Sequence, residues 1–405
     1  MNKNGSNEPV TLSEATPSLR PEDASELSRI LEKASAEKTR VLTGVAFLSE
    51  ASKHERSVVI DLSALDRVVE HVQEDMVITV ETGIKIAELN RYLTRSGQWL
   101  PANGSSRNSS VSELIETGNG GPLDTGFGGP RNLVLGLDTI LADGSSFKSG
   151  GKIVKNVTGY DLTKLLVGSR SWLGISHRAH LRLFALPQFR QALLMPLKST
   201  EIIPEFCKSL IASGIAIKVL EIASADFLPE NFEKFALVAD FGHRREVEES
   251  MDHLEELASN LSGVGKIHRL DQGALDGILD KLAGFSLSDT TACDLVELAA
   301  PLKLIPEILN EVQGCTFSLR PVPGKLTLKL KEGQLDSLER KLASLAVRCS
   351  LAGAITLAHR SDDGLYKVKS INQINQDNAT RLSSLKETIK KRFDPESILN
   401  PGIRF

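Results

Sequence analysis

The chain has 405 residues, 41% of them hydrophobic, which is more than one typical core holds, so two domains are expected. Its 48 basic and 52 acidic residues are interspersed, which argues against a nucleic-acid-binding face and a polybasic membrane anchor. Residues 1–23 lack the basic start and apolar stretch of a signal peptide, and no later run reaches the roughly 20 apolar residues of a membrane span. A cytoplasmic protein without a transmembrane segment is expected.

Residues 1–20 are polar, carry Pro9 and Pro17, and read as a flexible tail. Pro21, Glu22 and Asp23 suit the start of a helix whose apolar stripe is Leu27, Ile30 and Leu31. Buried strands follow in TRVLTGVAFL, SVVIDLSAL and MVITVETG, then a helix with Ile86, Leu89 and Leu93 on its apolar face. Six glycines between residues 118 and 129 make a loop whose backbone can lie against a flat ring system.

Gly150 and Gly151 also permit close ligand approach, and Lys155 and Asn156 add a cation and an amide. Asp161 is placed to cap a short helix with Leu162, Leu165 and Leu166 on one face and Gly168 at its end. In the strand that follows, His177 and His180 face opposite sides, so they share no metal and are expected in solvent. Cys207, Cys293, Cys315 and Cys349 lie far apart with no C-x-x-C spacing, which supports neither an iron–sulfur cluster nor a zinc site.

After Pro187 the pattern changes. QALLMPL, AIKVLEIAS, FALVADFG, CDLVELAA, CTFSLRP and KLTLKLK read as strands; EIIPEFCKSLIAS, REVEESMDHLEELASNL, LKLIPEILNEV and QLDSLERKLASLAV read as helices. An antiparallel sheet with helices on one face is expected. AGAITLAHR brings His359 and Arg360, weak catalytic candidates, to the end of a further strand.

Taken in register, these segments resemble FAD-binding oxidoreductases of the vanillyl-alcohol-oxidase (PCMH) type. The resemblance is carried by Gly150-Gly151, Lys155-Asn156-Val157 and Gly159-Tyr160-Asp161-Leu162. It extends over Thr117, Gly118, Gly121, Pro122, Gly126, Phe127, Gly128, Arg131 and Val134-Leu135-Gly136, and over Phe393-Asp394-Pro395 and Leu399-Asn400-Pro401-Gly402 at the C-terminus. Three places depart from the family pattern. Val45-Ala46 follow the single Gly44, Ser112-Glu113 replace a Gly-Gly pair in Ala-Thr-x-Gly-Gly-x-x-Ala-Thr-Gly, and Ser171-Trp172 replace Gly-Thr.

The resemblance implies an α+β protein: a tail over residues 1–20, a two-subdomain PCMH-type FAD-binding domain over 21–187, an α/β cap domain with an antiparallel sheet over 188–350, and a C-terminal segment, 351–405, returning to the flavin domain. It implies FAD, contacted by Gly44, Ser110, Thr117, Gly118, Gly121, Phe127, Gly128, Arg131, Lys155, Asn156, Gly159, Gly174, Ile175 and Asn400. For glycolate oxidase-like members it implies hydride removal from the α-carbon of a small 2-hydroxy acid, in company with a second flavin subunit and an iron–sulfur subunit. The three departures leave a second reading open: a homologue that has lost FAD and serves as a structural subunit. A dinucleotide or P-loop module is disfavoured, since neither G-x-G-x-x-G nor G-x-x-x-x-G-K-[ST] occurs in the required context.

Overall fold

The computed structural model describes residues 17–44, 56–103, 108–151, 161–228, 233–285, 295–331, 333–348, 356–360, 366–370 and 376–401. Near the N-terminus, Asp23 caps the Ala24–Glu37 helix by accepting the Glu26 N–H at 2.8 Å. Leu27, Leu31 and Ala34 recur at helical spacing and are buried on the parallel strands Arg40–Thr43 and Ser57–Ile60. Ile398 and Leu399, from the far end of the chain, complete this core.

A second, five-stranded antiparallel sheet runs in the order Val68–Val72, Val77–Glu81, Ile175–Arg182, Val134–Ile140, Ser146–Gly150. Against it lie the Ile86–Leu93 helix, through Ile86, Leu89 and Leu93, and the Val111–Thr117 helix, through Val111, Leu114 and Ile115. The latter falls in a stretch to which the sequence reading assigns no element, noting only that Ser112-Glu113 replace a Gly-Gly pair. Its start is set by Ser110, which accepts from the Glu113 N–H, and its end by Gly118 in the left-handed region at φ 63°.

His177 does not face solvent as expected. It is 7% exposed, and burial lowers its pKa despite Asp138 nearby. His180 is bonded to Thr79 Oγ1 at 2.9 Å.

The rest of the chain forms a nine-stranded sheet whose described pairings are all antiparallel, in the order His268–Leu270, Phe189–Pro196, Lys234–Gly242, Val219–Ser224, Thr316–Arg320, Lys325–Lys329, Leu295–Ala299, Thr356–Arg360, Tyr366–Ser370. The helices Ile203–Ala212, Arg244–Ser259, Ile305–Glu311 and Gln334–Arg348 bury their stripes on one face. The other face differs from expectation. The Gln272–Gly284 helix covers part of it, and Trp99 and Leu123 of the N-terminal half pack there too. That face therefore looks into the molecule, and residues on it alternate with the core residues of each strand.

Asp394 fastens the C-terminus. Fully buried, it accepts the N–H groups of Ile398 and Leu399 and pairs with Lys390 at 2.6 Å. Lys390 Nζ also donates to the carbonyls of Trp172 and Leu399, which satisfies all three ammonium protons in a site with little water. The following residues run beside Val41: its N–H donates to Ile398 O, and Asn400 N–H donates to Val41 O.

Candidate functional site

Where the Arg40–Thr43 strand ends, four chain segments meet on one carboxyl group. Glu116, next to last in the Val111–Thr117 helix, is 5% exposed. Its Oε1 accepts from Ser112 Oγ at 3.2 Å and Ser171 Oγ at 2.9 Å, and the Thr43 hydroxyl donates to it as well. Thr43 is itself fixed by Asn400, whose Oδ1 accepts the Thr43 N–H and whose Nδ2 donates to Thr43 Oγ1 and to Arg170 O. A closed ring of hydrogen bonds thus joins strand, helix, turn and tail.

Two features of the backbone admit this arrangement. Gly44 has φ 56°, and a Cβ there would stand 1.8 Å from Glu116 Oε2, so only glycine leaves room for the carboxyl. On the other side, Arg170 and Ser171 both lie in the left-handed region, at φ 51° and 55°, which L-residues adopt at a cost. The turn is held by the Gly168 and Arg170 N–H groups donating to Ile115 O and Glu116 O. It presents the Ser171 hydroxyl to the carboxyl. Burial is the main reason the Glu116 pKa lies above the ordinary value; the surrounding hydroxyls oppose it, and Glu113 adds to it.

The expected glycine loop turns its open sides mostly on protein. Gly118 faces the Gly168 backbone, a Cβ on Gly128 would meet Asn132, and one on Gly126 would stand 2.4 Å from Lys218 Cα in the large-sheet half. Phe127 is edge-on to Trp99 and Phe184. Thr117 Oγ1 donates to Glu113 O, and Arg131 donates to Lys164 O. Gly174 and Ile175 lie against Thr139 and Ile140 in the five-stranded sheet. Asp161 caps the Leu162–Leu166 helix, while Lys155, Asn156 and Gly159 lie outside the described residues, as do Val45 and Ala46. His359 and Arg360 sit on the Thr356–Arg360 strand, His359 paired with Val296; their side chains are outside the described set.

A second polar centre was not foreseen. It lies where the first half of the glycine loop meets the inward face of the nine-stranded sheet. Arg320, 4% exposed, donates to Asn119 Oδ1 at 2.8 Å, to Gly121 O at 3.2 Å and to Asp124 Oδ2 at 3.3 Å, and its Nε is 3.3 Å from Glu221 Oε1. Ser318 donates to Glu221 Oε2 at 2.8 Å, and Lys325 pairs with Glu297 at 2.9 Å.

Two cations thus meet three carboxyls in a buried site, and the carboxyls differ. Burial pushes Glu221 up to about 7, against Arg320 and Ser318, and Asp124 repels its charged form. Burial also raises Asp124 and is the largest influence on Glu297, but there Lys325, Arg170 and Arg320 together outweigh it and the net shift is downward. Asn119 Nδ2, Asp124 Oδ1, Thr125 Oγ1 and Glu221 Oε1 have no hydrogen-bond partner. The sequence did carry a signal here: charged residues inside apolar strands, Glu221 in VLEIAS and Glu297 in LVELA.

Residues 17–150 match the model of the FAD binding domain family. Over those residues the chain carries this FAD binding domain. It is 25% identical to glycolate oxidase subunit GlcD of Bacillus subtilis, over 96% of this chain and 88% of that one. It is 26% identical to a D-lactate dehydrogenase of Archaeoglobus fulgidus, over 95% and 90%. Among solved structures it shares its fold with p-cresol methylhydroxylase (TM-score 0.67, 14% identity, 95% of this chain and 88% of that one) and alkyldihydroxyacetonephosphate synthase (0.69, 12%, 95% and 76%). Among the described residues no helix is long and apolar enough to cross a membrane, and no His, Cys, Asp and Glu group is arranged to hold a metal ion.

In the pattern Ala-Thr-x-Gly-Gly-x-x-Ala-Thr-Gly the residue at Glu116 is alanine, so this chain has placed a carboxyl beside Gly44, the residue that follows the Arg40–Thr43 strand. Hydroxyls surround it, with no Lys or Arg side chain bonded to it among the described residues. This set suits a diphosphate when Glu116 is the neutral acid, the form that burial favours.

Proposed function

We propose that this chain is the FAD-binding subunit of a glycolate oxidase-like complex and oxidises small 2-hydroxy acids. The reading is carried by the buried Arg320 centre, which sets two cations and a carboxyl of near-neutral pKa on the sheet face opposite the glycine loop. Arg320 and Lys325 hold the substrate carboxylate, and the open positions at Asn119 Nδ2 and Thr125 Oγ1 bond its oxygens. Glu221 takes the hydroxyl proton at Oε1, the oxygen without a hydrogen-bond partner, and its pKa near 7 suits that task. Gly44 and Thr43 with Asn400 hold the nucleotide end, joined by Lys155 and Asn156. FAD, when bound, supplies the acceptor for the hydride. A second flavin subunit and an iron–sulfur subunit, in the cytoplasm, carry the electrons on.

The test is anaerobic mixing of the purified, flavin-loaded chain with glycolate or D-lactate while the flavin absorbance is followed. Bleaching in the wild type, lost by at least ~100-fold in rate in Arg320→Met with flavin still bound, is the expected result. Equal bleaching in both removes Arg320 from the site. The Glu116 carboxyl favours a second reading, a structural subunit without FAD; a colourless, folded chain that assembles with flavin-bearing partners would establish it.

A further inference from the structure

We propose that Glu116 makes this chain's hold on FAD depend on a proton: as a neutral acid it donates to the diphosphate, and once ionised it occupies the same place as a competing anion. The inference rests on the FAD-binding reading above and adds its regulation.

The geometry is specific. Glu116 Oε1 is committed to Ser112 and Ser171, while Oε2 lies against the side of Gly44 where a Cβ would stand, at a residue the FAD-binding reading gives to the nucleotide end. The positive φ of Gly44, the strained Arg170-Ser171 turn and the Asn400 clamp on Thr43 each hold the carboxyl where it is. Glu116 also sits at the C-terminal end of its helix, where exposed carbonyl dipoles disfavour negative charge.

Among the described residues, the charged groups facing Glu116 do not supply a compensating cation. Glu113, on its own helix, is an anion. From the opposing turn comes Arg170, whose guanidinium acts on Glu297 at the second centre and whose backbone N–H serves Glu116 O. The Arg40–Thr43 strand and the C-terminal tail contribute Thr43 and Asn400, neither of which titrates. Ser171 stands where the family has glycine, and the left-handed φ of this residue explains that glycine; a serine here accepts the strain and gains the bond to Glu116.

The experiment titrates FAD into the full-length apo chain by flavin fluorescence from pH 5.5 to 9, in the wild type, Glu116→Gln and Ser171→Gly, with circular dichroism confirming that each is folded. The wild type should lose about tenfold in affinity per pH unit above the Glu116 titration, and Glu116→Gln should stay flat within about twofold. Ser171→Gly removes a donor to the ionised form, so its loss of FAD should begin at higher pH.

The same pH dependence in wild type and Glu116→Gln would overturn the proposal while leaving the FAD reading intact. Affinity that rises with pH in the wild type would also overturn it. If neither the wild type nor Glu116→Gln took up FAD at any pH although both were folded, the FAD reading would fail, and this proposal with it.

Discussion

Glu116 and Glu221 are both buried, both sit near a glycine-bearing turn, and both have pKa values raised chiefly by burial, yet their surroundings differ. Glu221 is set against Arg320, with Lys325 beyond it. Among the described residues, Glu116 is hydrogen-bonded only by hydroxyls. A buried carboxyl with a cationic partner can ionise at moderate cost and hold or pass a proton; one among hydroxyls has no cation to offset its charge and becomes an obstacle when it ionises. The chemistry at each centre follows from the partner, not from the glutamate.

The sharpest way to break this contrast is to remove the cation. Arg320→Met leaves Glu221 and Asp124 without their shared partner in a buried site, and a loss of about 3–5 kcal/mol is expected from urea unfolding. A loss under about 1 kcal/mol would mean that the centre is not held by charge pairing.

Stability against pH gives a second test, next in size. Glu221 titrates near 4.5 when unfolded and about 7 when folded, so the native state binds the proton more tightly. Its contribution is therefore fully present below about pH 4.5 and is lost as pH rises through 7, a change on the order of a few kcal/mol. Glu221→Gln should flatten that part of the curve; an unchanged slope would show that another group produces it.

Truncating Glu116 is expected to cost less. Glu116→Ala strands the Ser112, Ser171 and Thr43 hydroxyls, for about 1–3 kcal/mol in apo stability, while Glu116→Gln keeps most of the bonds and should lie nearer the wild type. Equal losses in the two variants would mean that packing, not hydrogen bonding, holds this corner. Smallest is Ser171→Gly. Release of a left-handed residue gains roughly 1 kcal/mol and the lost hydrogen bond removes about as much, so melting should barely move. A large drop would show that Ser171 does more than bond Glu116.

Much of the scaffold was legible without coordinates. The Leu27 and Leu31 stripe, the Asp161 cap and seven strands of the large sheet, all but His268–Leu270 and Tyr366–Ser370, announce themselves within a dozen residues, through periodicity and capping. The helix after Ser110 was missed because its segment was compared with a loop pattern, although Ser110 and Glu113 stand at capping-box spacing. Glu116 was invisible for another reason: three residues after Glu113 it looks like one more charge on a helix surface, and only burial distinguishes it.

By itself, then, the sequence determined most of the elements and the resemblance to FAD-binding proteins, because periodicity, capping and motif spacing are carried by near neighbours. Tertiary structure alone decided which polar groups share a site. Arg320 meets Asn119 across 201 residues and Asn400 meets Thr43 across 357, and the ionisation of a buried group depends on partners no local pattern can bring into view.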